Sequence, residues 1–73
     1  MTNKKYQIQF IIWANIRKFQ YLNKKTDEQL AQLLEVSERS LYNYDIAPEK
    51  ITLGKIKIFM ENTGVPVEEL IKL

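Results

Sequence analysis

Cysteine and histidine are both absent from these 73 residues. Without cysteine there is no disulfide and no thiolate metal site. Without histidine the commonest metal ligand and the usual acid–base group at neutral pH are gone as well. Only two glycines are present, and no Gly-rich phosphate loop can be drawn. No acidic pair stands in a recognisable catalytic context. No apolar run approaches the ~20 residues that span a bilayer, and the N-terminus has no secretory cleavage pattern. These absences predict a cytoplasmic protein that is not an enzyme. They predict no catalytic residue, metal, cofactor, small-molecule ligand or membrane partner.

What is present suits one small domain over residues 1–73, with residues 1–5 frayed. Hydrophobic residues make up 45% of the chain, ordinary for a globular protein, so wholesale disorder is not expected. The core must be small and the stability margin thin. The net charge of +2 conceals an asymmetry. Residues 1–26 hold six basic and no acidic residues, and residues 27–73 hold five basic and nine acidic ones. Such separation points to a polyanionic partner on the N-terminal side; a solvated basic surface is the plainer reading.

Helical periodicity dominates the chain. A long helix is predicted over 6–22. Ile8, Ile11, Ile12, Ile16, Phe19 and Leu22 fall on one of its faces, and Tyr6, Phe10, Trp13 and Tyr21 on the opposite one, with Arg17 among them. The run Gln7 to Trp13 is the one place a strand could hide. After the polar connection Asn23–Lys25, short helices are predicted at about 27–34 and 38–45. Thr26 or Asp27 heads the first, and Ser37 the second. Ser40 stands where the acidic half of a capping box would be. Pro48 makes the following segment a loop. Thr52 caps a fourth helix over 53–62, with Leu53, Ile56, Phe59 and Met60 inward. Gly64 ends it, and Pro66 opens a last helix over 67–72.

The stretch TDEQLAQLLEVSERSLYNYD, Thr26 to Asp45, carries the most information. Its two helices are too short to stand alone in water and must pack on each other and on a third partner. Leu30, Ala31 and Leu34 are inward on the first helix. Leu41 and Tyr44 are inward on the second, and Val36 is the apolar turn residue. That leaves one face of the second helix free to enter a groove about one helix wide, as the DNA major groove is.

Position by position this stretch resembles the helix-turn-helix of the Cro and phage-repressor (XRE) family. Leu30-Ala31 matches the family's Leu-Ala pair, Val36 its turn residue, and Leu41 and Tyr44 its inward recognition-helix positions. GVPVEEL, Gly64 to Leu70, resembles the closing segment. The resemblance covers about two thirds of the chain and implies an all-α, compact five-helix, lambda-repressor-like domain, with its motif at about 27–45. Two positions depart from the family pattern, and the connection Asn23–Lys25 is more polar than the family's usual apolar one. Glu35 stands where glycine is usual, which predicts a non-glycine residue in left-handed conformation. Asp27 stands where the family often has a phosphate-touching glutamine.

The resemblance further implies a sequence-specific regulator of transcription, Cro-like and of phage or mobile-element origin. It would bind double-stranded DNA, as a homodimer at least on DNA. The base-contacting positions fall on Glu38, Arg39 and Asn43. By chemistry, Arg39 suits guanine, Asn43 adenine, and Glu38 cytosine N4. Tyr42 would meet a phosphate or a thymine methyl. Ser37, Lys50 and Lys55 are expected at the DNA backbone, with Arg17, Lys18, Lys24 and Lys25 as further cations. The plainer reading of all of these is solvent-exposed polar surface. The face of Tyr6, Phe10 and Trp13 is expected to be buried by a second copy of the chain or by helix five. The alternative function is a protein-interaction module on the same fold, anchored through that aromatic face and occluding another regulator or an enzyme.

Overall fold

An unbroken helix-forming run opens the computed structural model, which describes residues 7–73. It forms α1 (Ile8–Leu22), and the candidate strand at Gln7 to Trp13 is helical from Ile8 onward. There follow α2 (Asp27–Leu34), α3 (Glu38–Ile46), a 3-10 turn (Pro48–Lys50), α4 (Leu53–Thr63) and α5 (Val67–Leu70). The described residues are thus all-α, with five α-helices and no strand. None of these helices is long and apolar enough to cross a membrane.

The helix ends follow from named side chains. Thr26 Oγ1 accepts from the Gln29 N–H at 3.1 Å, and Gln29 Oε1 accepts from the Thr26 N–H at 2.9 Å, a complete capping box that starts α2. Ser37 Oγ accepts from the Ser40 N–H at 3.2 Å and starts α3. The Ser37 and Ser40 hydroxyls lie 3.1 Å apart, so Ser40 shares in the cap. Thr52 does the same for α4 through the Lys55 N–H.

Two terminations use non-glycine residues in the left-handed region, Lys24 (φ 55°) and Glu35 (φ 56°). Each makes the paired hydrogen bonds of a Schellman end. After α1, Lys25 N–H reaches Gln20 O and Lys24 N–H reaches Tyr21 O. After α2, Val36 N–H reaches Ala31 O and Glu35 N–H reaches Gln32 O. The turn from α2 to α3 is therefore only Glu35-Val36-Ser37, and its backbone geometry is fixed at both ends. Gly64 (φ 77°) closes α4 through a bond from its N–H to Met60 O.

The core takes Ile12, Trp13 and Ile16 from α1, Leu30, Ala31 and Leu34 from α2, and Leu41 and Tyr44 from α3. Ile51, Ile56, Phe59 and Leu70 complete it. Each fully buried aliphatic or Phe side chain contributes about 1.5–3 kcal/mol over an exposed one. Phe19 meets Phe59 edge-on with ring centroids 5.2 Å apart. The C-terminal segment is tied to α1 by Asn15, whose Nδ2 donates to Leu70 O at 2.6 Å and to Lys72 O at 2.9 Å.

Three expectations need correction. Trp13 is 4% exposed, buried within the chain by α3 rather than by a second copy or by helix five. Its ring meets Tyr44 edge-on at 5.2 Å and its Nε1 donates to Asp45 Oδ1 at 2.8 Å. The inward face of α1 is accordingly turned toward Trp13, and the outlying members of the isoleucine stripe, Ile8 and Leu22, are exposed. Phe10 and Tyr21 are exposed too, while Tyr6 lies outside the described residues. Leu53 is 82% exposed, not inward, because Ile51 enters the core from the loop just before it.

Candidate nucleic-acid interface

α3 is built to be held by one side and to present the other. Leu41 and Tyr44 anchor it in the core. At 3.6 residues per turn, the positions opposite them are those near Arg39, Tyr42, Asn43 and Ile46. Each of these four is exposed, as are Ser37 and Glu38 at the start of the helix. Four polar side chains expected to read or position DNA, Glu38, Arg39, Asn43 and Tyr42, thus share one continuous surface. None of them is hydrogen-bonded or ion-paired with another described residue. The first-turn N–H groups of Glu38 and Arg39 have no acceptor within the helix, as at any helix start. Together with the dipole they favour an anion there. Ser37 Oγ is engaged in capping, so its contribution to an anion contact would come through this helix end.

The flanking cations divide into two groups. Lys50 is exposed at the end of the 3-10 turn, and Lys18, Lys24 and Lys25 are exposed on or just after α1. Lys55 and Arg17 are engaged within the chain. Lys55 Nζ donates to Glu35 O at 2.9 Å, tying the first turn of α4 to the α2–α3 turn and placing a positive charge at the C-terminal end of α2. Arg17 donates to Asp45 through Nε (3.1 Å) and Nη2 (2.7 Å), and through Nη1 to Asp27 (2.9 Å) and Gln20 (2.6 Å). Its guanidinium carbon lies 5.4 Å from the centre of the Trp13 ring, within cation–π range.

Asp27 is therefore engaged within the chain. Its Oδ1 also accepts from Gln20 Nε2 at 2.8 Å. The Gln20 hydrogen bond first, and Arg17 next, hold its carboxyl below the ordinary carboxylate range. Asp45 is lowered chiefly by the Arg17 hydrogen bonds, against partial desolvation, with the Trp13 indole adding to the effect. The same contacts, with Asp45 foremost, raise Arg17 above its usual value.

The sequence reading missed Asp45 and Ile46. The available signal for Asp45 was Arg17 itself, a charged residue one turn beyond Trp13 that needed an acidic partner. Ile46 is 66% exposed and Tyr42 61% exposed, so the outward face of α3 carries apolar surface beside its polar groups. Among the described residues no cluster of three or more acidic, histidine or cysteine side chains is arranged to hold a metal ion.

No family model, curated protein or solved structure matches this chain.

Proposed function

We propose that the chain is a sequence-specific, double-stranded DNA-binding regulator of transcription of the Cro and phage-repressor type, acting in the cytoplasm, with α3 in the major groove. One observation carries this reading. A short helix, fastened by Leu41 and Tyr44 and capped by Ser37, exposes Glu38, Arg39, Tyr42 and Asn43 together. These side-chain types match the hydrogen-bonding edges of base pairs, and a single helix fits the groove. Lys50 and the N-terminal end of α3 supply the backbone contacts that set register. Lys24 and Lys25 add attraction to the polyanion. A homodimer on two half-sites completes the proposal, since one helix reads only a few base pairs.

A protein-interaction module is the second reading, and the exposed apolar residues Tyr42, Ile46 and Leu53 favour it over a purely polar DNA face. Of the aromatic face of α1, Trp13 is core and unavailable as an anchor, while Phe10 is exposed. Selection from random duplex DNA at two salt concentrations separates the readings. The DNA reading expects an enriched sequence whose binding weakens steeply with salt. Recovery of no sequence at low salt would remove it.

A further inference from the structure

The side chain of Arg17 joins α1 to both ends of the helix pair. Asp27 begins α2 and Asp45 lies in the last turn of α3, and one guanidinium holds both. Its contact with Asp45 is a fork. Nε and Nη2 meet the two carboxylate oxygens at 3.1 and 2.7 Å, which fixes the carboxylate plane as well as its position. Asp45 Oδ1 is fixed a second time by the indole of buried Trp13. Gln20 closes the other side, accepting from Arg17 and donating to Asp27.

Such a cluster is out of proportion to its contribution to stability. The side chains of Arg17, Asp27 and Asp45 are 28%, 58% and 43% exposed, and ion pairs this open to water contribute little. What the fork supplies is direction. The apolar contact of Tyr44 on Trp13 permits α3 to slide and roll, whereas two parallel N–H···O bonds do not. A readout of base edges requires the helix to be held within roughly 0.5 Å and 10–20°.

We propose that Arg17 is a positioning residue: by gripping Asp45 and Asp27 it sets the angle and register at which α3 is presented, and so governs DNA sequence discrimination without touching DNA. The consequence for DNA rests on the reading above; the effect on α3 does not.

Arg17→Lys keeps the charge and removes the fork, and Asp45→Ala removes the gripped group and a negative charge. Both are compared with the parent in two assays. The first is amide exchange at Ala47, whose N–H bonds to Asn43 O at 2.8 Å in the last turn of α3, with Phe59 in α4 as the internal reference. Exchange at Ala47 is expected to accelerate on the order of tenfold in both variants, with a much smaller change at Phe59. The second assay is the ratio of affinities for a selected duplex and a scrambled one. That ratio is expected to fall on the order of tenfold, the worth of one base contact.

Asp45→Ala is decisive in sign when its affinity for the selected duplex is read alone: loss of a negative charge near a polyanion would by itself tighten that binding, whereas loss of positioning weakens it. Unchanged Ala47 exchange in both variants overturns the proposal, as does an Arg17→Lys variant with the parental affinity ratio. If the parent binds no duplex, the DNA reading fails and Ala47 exchange alone decides whether Arg17 positions α3.

Discussion

Replacing Glu35 by glycine should make the protein more stable. Glu35 adopts φ 56° and ψ 47°, a left-handed conformation that costs a residue with a Cβ about 1–2 kcal/mol. Glycine removes that cost but adds freedom to the unfolded chain, an opposing effect of about 0.4–1 kcal/mol. The expected net gain is about 0.5–1 kcal/mol, or a rise of about 4 °C in the melting temperature for a domain of this size. No described contact of the Glu35 side chain is lost. The groups in use at this position are the N–H bonded to Gln32 O and the carbonyl that accepts from Lys55, and glycine keeps both. Glu35→Ala is the control. It removes the same negative charge from the C-terminal end of α2 without relieving the backbone, so the glycine-minus-alanine difference isolates conformation from electrostatics. Urea denaturation followed by circular dichroism, with thermal melts alongside, gives both values. A glycine variant no more stable than the alanine variant would refute the strain argument.

Leu30→Ala and Leu41→Ala should each lose about 2–5 kcal/mol, read from denaturation midpoints, because both side chains are fully buried in the core. In a domain this small either loss is comparable with the whole stability, so circular dichroism at room temperature should register unfolding. Leu53→Ser, by contrast, should stay within about 0.5 kcal/mol of the parent, since Leu53 is exposed. Stability should also fall in acid. The folded-state carboxyls of Asp27 and Asp45 are lowered, so their contribution is present above the unfolded value of about 4 and is lost as the pH drops through the folded values. Denaturation at pH 7 and pH 3 should show a smaller acid loss in Asp45→Ala than in the parent.

Much of the fold was legible because its signals are local. Ser37, Thr26 and Thr52 cap helices through hydroxyls that any sequence reader can see, and Gly64 ends α4 as expected. Glu35 takes the left-handed conformation that its place between α2 and α3 required. Lys24 does so as well, and nothing about a lysine after an aromatic-rich helix announces that.

The misreadings came from faces rather than elements. α1 carries apolar residues around much of its circumference, and periodicity alone does not say which arc turns inward. Tyr44 and Asp45 decide it, by giving Trp13 both an apolar and a hydrogen-bonding partner. Leu53 shares an approximate period with Ile56 and Met60. It nevertheless lies roughly a quarter-turn from the buried direction set by Ile56 and Phe59. The candidate site divides in the same way. The exposed row on α3 follows from the inward pair Leu41 and Tyr44, whereas the engagement of Lys55 and Arg17 depends on partners distant in sequence.

The central claim is that α3 reads DNA, and the base-preference profile of Arg39→Ala tests it most directly. Selection from random duplexes, run in parallel on parent and variant at one fixed low salt concentration, yields the two profiles. The account predicts that the variant keeps its fold, loses about 1–3 kcal/mol of affinity for the parental site, and relaxes preference at a single base-pair position. A parent that enriches no sequence, or two profiles that superimpose, would contradict it.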